Sequence, residues 1–215
     1  MKKLVIIIGI LLLAGIGTVS ANLVANGDFE NSGPIPAQGY LTCPPGVLND
    51  WTIVNTVDVI GGYWQPASGS QSLDLAGNEK GNISQILTTP PGTYDLSFNM
   101  SGNPDGAPTI KTVEVFWGGV SQGTFTFDTT GISHSNMGWV KKGITGLVPS
   151  GATTELKFVD VSGGTEGTPW GAALDSIDVS SSFIPTPEFP SVALPAAFIV
   201  GLIGAVLFIQ RSKEE

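Results

Sequence analysis

The chain has 215 residues and a formal net charge of −9, because nine Lys and Arg residues face 18 Asp and Glu residues. Charged side chains make up only 13% of the chain, and so few basic residues argue against a nucleic-acid partner, whose phosphates they would have to neutralise. Cys43 and His134 are the only residues of their types, which excludes an intrachain disulfide and a zinc site built from Cys and His of this chain alone. The 29 Gly and 15 Pro residues favour a turn-rich β protein over a helix bundle.

The first 21 residues have the pattern of a secretory signal peptide. Lys2 and Lys3 precede an apolar run that extends to residue 19, and small residues ending at Ala21 form a cleavage site. The mature chain is therefore predicted to begin at Asn22. The alternative is an uncleaved N-terminal anchor.

The opposite end predicts one transmembrane helix at residues 191–210, followed by a short cytoplasmic tail at 211–215. Residues 192–209 carry no charge, and at about 1.5 Å per residue they span roughly 27 Å, close to the thickness of a hydrocarbon core. Arg211 and Lys213 follow at once and favour a cytoplasmic position for the tail. A buried core helix is the alternative, but it fits poorly because the segment is apolar on all sides.

A Pro-rich stalk at residues 183–190 precedes this helix and contains Pro187, Glu188 and Phe189. The tripeptide, the hydrophobic helix and the short basic end together resemble the PEF-CTERM sorting signal of archaeal surface proteins. The resemblance implies that an archaeosortase, a membrane transpeptidase, cuts near Pro187 to Phe189 and joins the new C-terminus to a lipid. A lipid would then replace the membrane span as the anchor. The alternative is a plain single-pass membrane protein.

Between these ends, residues 22–182 show the period-two alternation of β-strands. This segment carries five basic and fifteen acidic side chains, a net charge of −10. Apolar residues alternate with polar ones in several runs, namely Tyr94, Leu96, Phe98 and Met100; Val113, Val115 and Trp117; Phe125 and Phe127; and Leu156 and Phe158. Turn signals such as Asn103-Pro104-Asp105-Gly106 separate these runs. The pattern predicts an all-β ectodomain folded as a jelly-roll sandwich of two sheets.

Several blocks of this segment resemble a known family when taken in order. They include residues 26–30, 72–77, 91–98 and 173–179. In sequence and spacing they are similar to the choice-of-anchor C family and to the plant cell-wall family known as domain of unknown function 642. The resemblance implies a galactose-binding-like β-sandwich. The plant members carry paired cysteines, whereas this chain has only Cys43, so any brace that a disulfide supplies there must come from packing here.

Three acidic residues are candidates for a structural calcium site. Asp28 and Glu30 lie near the start of the mature chain and Asp175 lies near its last strand, and the first and last strands of such sandwiches are often neighbours. Carboxylate and carbonyl oxygens are the ligands that Ca²⁺ prefers. The alternative is that Glu30 caps a turn and Asp175 makes ordinary surface hydrogen bonds.

Aromatic residues in Gly-rich loops are candidates for carbohydrate binding. Sugar rings stack on aromatic faces, while polar side chains bind the hydroxyl groups. Tyr63, Trp64 and Gln65 follow two glycines, and Trp170 lies between Pro169 and Gly171. The remaining tryptophans lie in strand-like contexts and are predicted to belong to the core, namely Trp51, Trp117 and Trp139.

Other residues carry weaker signals. His134 lies in a polar loop, but the sequence contains no strained nucleophile turn that would favour a catalytic triad. Cys43 precedes two prolines and is predicted to be a free, partly buried thiol. Asn82 and Asn99 each begin an Asn-x-Ser triplet and are candidate glycosylation sites.

These observations together predict an exported, surface-anchored β-sandwich that binds carbohydrate and is not an enzyme. The expected partners are a glycan of the cell envelope, an archaeosortase-type transpeptidase and the membrane. Two alternatives remain. The first is a structural or adhesive envelope protein that binds no glycan, and the second is a weak glycoside hydrolase, since many carboxylates are available.

Overall fold

The computed structural model describes residues 21–163, 168–182 and 193–212. Within these ranges the chain forms twelve strands and one helix. They are β1 (Tyr40–Cys43), β2 (Gly46–Leu48), β3 (Trp51–Val54), β4 (Val57–Ile60), β5 (Ser72–Asp74), β6 (Asn82–Thr88), β7 (Tyr94–Gly102), β8 (Ile110–Trp117), β9 (Val120–Asp128), β10 (Val140–Leu147), β11 (Thr153–Asp160), β12 (Ala172–Ser181) and α1 (Ala193–Arg211).

The strands form two six-stranded sheets, and every strand pair is antiparallel. The first sheet has the order β1-β4-β5-β12-β7-β10, and the second has the order β2-β3-β6-β11-β8-β9. Consecutive strands often lie in different sheets, so the chain crosses between the layers repeatedly. The predicted all-β sandwich is thereby confirmed.

The main core lies between the two sheets and is built by the predicted alternation. On β7 the alternating side chains Tyr94, Leu96, Phe98 and Met100 are all buried, as the sequence predicts. Phe98 contacts the rings of Phe125 and Phe158 edge-on, each with ring centroids 5.2 Å apart. The predicted core positions on β8 and β11 are also buried, and so are Trp51 and Trp117. Aromatic residues of this size dominate the buried apolar surface of a core.

A second, smaller apolar cluster lies on the opposite face of the first sheet. In β12, Ala172 and Leu174 face the main core whereas Ala173 belongs to the second cluster, as alternation along a strand requires. Ile60, Trp64 and Met137 are buried in this cluster, and Tyr40, Tyr63 and Trp139 pack against it. The loops that follow β4 and β9 therefore cover part of the outer face of the first sheet.

The start of the described chain is attached to the last strand. The Asn22 side-chain amide donates to the carbonyl of Ile177, and its Oδ1 accepts from the backbone N–H of Val179 at 2.9 Å. The backbone N–H of Leu23 also donates to the carbonyl of Val179, at 2.8 Å. The segment after Asn22 is thus held against β12 by both side-chain and backbone bonds.

The α1 helix lies at the position where the sequence predicts a transmembrane segment. None of the helical structure in the described ranges meets the length and apolarity needed for a membrane crossing. Residues 1–20 of the predicted signal peptide, the stalk at 183–190 with Pro187, Glu188 and Phe189, and residues 213–215 of the predicted tail all lie outside the described residues.

Candidate functional site

A pocket of about 240 Å³ lies on the outer face of the first sheet. Strand alternation creates its floor. On β4, Val57 and Val59 face the main core, so Asp58 and Ile60 face outward. On the paired strand β1, Tyr40 and Thr42 face outward in the same way. Loops supply the remaining lining residues, which are Tyr63, Trp64, Gly77, Asn78, Asn103, Asp105, Pro169 and Trp170.

Aromatic rings form one side of this pocket. Tyr40 and Tyr63 meet edge-on, with ring centroids 5.4 Å apart, and Trp64 lies 6.0 Å behind Tyr63. Trp64 is buried, and its indole N–H donates to Ser72 Oγ at 2.9 Å, so this ring supports the pocket wall from behind. Tyr40, Tyr63 and Trp170 are half-buried and reach the pocket surface. These three rings are therefore the ones that a ligand can contact.

A network of three side chains fixes one edge of the pocket. The hydroxyl of Tyr63 donates to Asp105 Oδ2 at 2.8 Å, while His134 Nε2 lies 2.7 Å from Asp105 Oδ1. The rings of Tyr63 and His134 are also in contact, with centroids 4.5 Å apart and their planes tilted by 45°. The hydrogen bond to Asp105, together with partial burial, raises the pKa of Tyr63 to about 12. Tyr63 thus stays a neutral donor at any physiological pH.

The opposite edge of the pocket depends on a buried lysine. Lys111 is fully buried, and its Nζ donates to the carbonyls of Gly106 and Trp170 at 2.8 and 2.7 Å. A Cβ atom on Gly106 would overlap the Trp170 ring, so only glycine lets the ring lie against this loop. Burial lowers the pKa of Lys111, although nearby Asp74 and Asp160 oppose the change. The ammonium group therefore holds the two loops beside the pocket together.

Two buried carboxylates complete this support. Asp74 accepts from the backbone N–H groups of Ala76 and Gly171 and from the side-chain amide of Asn103, at 2.8 to 3.1 Å. Asp160 accepts from the N–H of Ala172 at 2.8 Å. Burial raises the pKa of Asp74 well above its usual value. Asp74 and Asp160 thus make their hydrogen bonds within the protein, to residues beside the pocket such as Gly171 and Asn103.

Four residues of the site were not predicted from the sequence, namely Tyr40, Asp58, Asp105 and Lys111. One signal was present for the lysine. Lys111 shares its strand parity with the buried residues Val113, Val115 and Trp117, and a charged residue in phase with a core face requires buried partners. Tyr40, Asp58 and Asp105 carry no such signal in the sequence, because only the fold brings them to one pocket.

Two family models match parts of this chain. A model of the family described as "Protein of unknown function (DUF642)" matches residues 22–180. The chain belongs to the DUF642 family. Residues 186–211 match the PEF-CTERM archaeal protein sorting domain, which confirms the resemblance found in the C-terminal sequence.

A curated relative and several solved structures are similar to parts of this chain. Halomucin of Haloquadratum walsbyi (strain DSM 16790 / HBSQ001) is 33% identical over 107 residues, which cover 46% of this chain and 1% of halomucin. The structure of TmCBM61 in complex with β-1,4-galactotriose is 17% identical, with a TM-score of 0.46. The match covers 75% of this chain and 99% of the TmCBM61 chain. A family 35 carbohydrate-binding module from Clostridium thermocellum has the same identity and TM-score, and the match covers 66% of this chain and 98% of the module.

The three candidate calcium ligands do not converge in the DUF642 domain. Glu30 accepts from the N–H groups of Ser70 and Gln71 at 2.6 and 2.7 Å, whereas the buried Asp175 accepts from those of Ala67 and Ser68, both at 2.9 Å. Asp28 is exposed, and its Oδ1 accepts from the N–H of Glu30 at 3.4 Å. Among residues 21–163, 168–182 and 193–212, no group of three or more His, Cys, Asp or Glu side chains is placed to hold a metal ion. Asp28, Glu30 and Asp175 therefore do not form a preformed calcium site in the described part of the chain.

Glu30 and Asp175 instead hold the loop that carries Tyr63 and Trp64. Burial raises the pKa of Asp175 to about 6, and the hydrogen bonds from Ser68, Ser176 and Ala67 offset part of that effect. For Glu30, burial acts in the same direction, but the bonds from Ser70 and Gln71 hold its pKa below the ordinary value. Both carboxylates thus act on the pocket indirectly, through the loop.

The remaining sequence candidates lie outside the pocket. The Gln65 side chain is exposed, and its backbone carbonyl accepts from the indole N–H of Trp139 at 2.9 Å. Trp139 itself is half-buried against the second cluster rather than in the main core. Asn82 on β6 and Asn99 on β7 are half-buried, and their glycosylation stays a prediction. Cys43 is a buried free thiol, as expected.

Proposed function

We propose that this protein is exported, held at the cell surface through its C-terminal sorting segment, and binds a glycan in the pocket on the outer face of the first sheet. The observation that carries the binding proposal is the combination of three accessible aromatic rings with polar side chains in one pocket. Tyr40, Tyr63 and Trp170 supply surfaces for stacking, while Asn78 and Asp58 supply hydrogen-bonding groups.

The proposal is one of binding rather than catalysis. Glycoside hydrolysis by a pair of carboxylates needs an acid and a base that face the scissile bond with room for the substrate between them. Asp74 lies directly across from Asp58 on the neighbouring strand, but both of its oxygens are already occupied by hydrogen bonds within the protein. Asp58 is thus left as a binding group.

Glycan-array screening followed by calorimetry of the full chain in neutral detergent tests the binding proposal. Tyr63→Ala and Trp170→Ala are each expected to weaken binding about ten-fold or more, because each removes one stacking surface of about 1 to 2 kcal/mol. Phe116→Ala is the matched control, since Phe116 is a half-exposed aromatic residue on the second sheet. Absence of binding to any glycan, combined with strong self-association, would favour a structural envelope role instead.

The export and anchoring proposal has separate support. The PEF-CTERM match covers residues 186–211, the family match begins at Asn22, and Asn22 is bonded to β12. We propose cleavage after Ala21, action of an archaeosortase-type transpeptidase near Pro187 to Phe189, and membrane attachment through a lipid. Intact-mass measurement of the protein isolated from its native cells tests all three steps. A mass equal to that of residues 22–215 would contradict lipid transfer.

A further inference from the structure

The pocket contains a carboxylate oxygen that lacks a partner. Asp58 projects from β4 into the pocket, where Oδ1 is buried and makes no hydrogen bond to any residue that the structure describes. Thr42, on the paired strand, donates a side-chain hydrogen bond to the same carboxylate. Buried polar atoms in folded proteins almost always have a partner, so an unpaired acceptor beside a pocket marks a place for a donor from a ligand.

No positive charge of the described chain compensates this carboxylate. On β5, the register partner of Asp58 is Asp74, a second carboxylate. The ammonium of Lys111 donates to the carbonyls of Gly106 and Trp170. Among the residues that the structure describes, one ion pair is present, between His134 and Asp105 at the pocket edge. None of the residues that line the pocket is Lys or Arg.

We propose that the pocket accepts a sugar unit bearing a free, protonated amino group, with its ammonium against Asp58, and that it rejects acidic sugars. An ammonium supplies both the missing donor and the missing charge, whereas a hydroxyl supplies only a donor. A uronic acid would place a carboxylate beside Asp58 and Asp105, where like charges repel. The inference rests on the proposed glycan-binding function of this pocket.

The environment of Asp58 agrees with this assignment. Burial raises the pKa of Asp58 even though the hydrogen bond from Thr42 opposes the rise, which is the behaviour of a carboxylate without enough compensation. Asp105 differs, because Tyr63 and His134 already occupy its two oxygens. Asp58 is accordingly the pocket carboxylate with a free position.

Three trisaccharides of one backbone test the inference. They are β-1,4-linked glucose, glucosamine and glucuronic acid, of which the first two differ only in carrying a hydroxyl or an ammonium at carbon 2. Calorimetry with the full chain at about pH 5.5, below the pKa of the amino group of such a sugar, is expected to show about ten-fold tighter binding of glucosamine than of glucose. Glucuronic acid is expected to bind about ten-fold more weakly than glucose, or not at all.

Two variants separate the pocket from the overall negative charge. Asp58→Asn is expected to bring the ratio of glucosamine affinity to glucose affinity to about one, whatever its effect on glucose affinity itself. Glu114→Gln removes one carboxylate from the second sheet and is expected to keep the preference. Equal binding of glucose and glucosamine by the parent chain, or an unchanged preference in Asp58→Asn, would overturn the inference. Lack of glucosamine binding would also overturn the inference. If other glycans on the array still bind in that case, the proposed glycan-binding function stands. If no glycan binds, both the inference and the proposed function are refuted.

Discussion

Raising the pH from about 4 to about 7 is expected to destabilise this domain, and Asp175 gives the magnitude. Its pKa rises from an ordinary 3.8 to about 6 because the carboxylate is buried on β12. A difference of about two pKa units corresponds to roughly 3 kcal/mol. Because the folded state binds the proton more tightly than the unfolded chain, this stabilisation is complete below about pH 4 and is lost as the pH rises through 6.

Other carboxylates modify the pH profile in known directions. Burial also raises the pKa values of Asp58 and Asp74, so both add to the loss of stability on the alkaline side. Hydrogen bonds lower the pKa values of Glu30 and Asp128, and their contributions are present at neutral pH and disappear in acid. Stability is therefore expected to be greatest near pH 4.5 to 5, below the usual optimum for folded proteins.

Urea unfolding of the full chain, followed by tryptophan fluorescence at a series of pH values, measures this effect. The free energy of unfolding should fall by about 2 kcal/mol or more between pH 4.5 and pH 7, because the rest of the roughly 3 kcal/mol is present only at lower pH. Asp175→Asn should reduce the fall by about 2 kcal/mol, since an amide does not titrate. Asp178→Asn, on the same strand but half-exposed, is the matched control and should retain the full slope. A flat profile in the parent chain, or an identical slope in Asp175→Asn, would refute the reasoning.

Three further substitutions test the support of the fold and the pocket. Tyr94→Phe removes the 2.6 Å bond from the hydroxyl to the carbonyl of Pro90 and should cost about 1 kcal/mol in urea unfolding; no change would show that water replaces the bond. Lys111→Met leaves the carbonyls of Gly106 and Trp170 without their donor and should lower the free energy of unfolding by about 2 kcal/mol or more. Glycan binding by calorimetry should also weaken, and binding at full affinity would contradict the positioning role of Lys111. Gly106→Ala should displace the Trp170 ring, weaken glycan binding and cost about 1 to 3 kcal/mol in urea unfolding. Unchanged stability together with unchanged affinity by calorimetry would argue against this role of Gly106.

The main core could be predicted from the sequence because strand alternation is a local property. Leu96, Phe98 and Met100 recur every second residue between polar neighbours, and no distant information is needed to place them on one face. The buried position of Trp64 is different. Its Gly-rich surroundings indicate an exposed loop, but that loop folds back onto Ile60 and Ala173 on the outer face of the sheet. Only the long-range strand order creates the surface that covers this ring.

The pocket was predictable in part for the same reason. Tyr63 and Trp170 were identified from their loop contexts, and the fold brings both to one cavity although they are far apart in sequence. Asp58 could not be predicted as a pocket residue, since it lies within the apolar run Val57-Asp58-Val59-Ile60. Its environment depends on Thr42 and Asp74, which lie on neighbouring strands. The acidic residues Glu30 and Asp175 suggested a cation, but backbone N–H groups of one loop occupy them.

Strand β12 sets the distance between the pocket residue Trp170 and Ser182. The strand begins at Ala172, two residues after Trp170, and ends at Ser181. Ten extended residues at about 3.3 Å each separate its two ends by roughly 30 Å. Trp170 and Ser182 therefore flank opposite ends of this strand, and a fluorescent label attached at Ser182 would report unfolding of the sandwich without crowding the Trp170 ring.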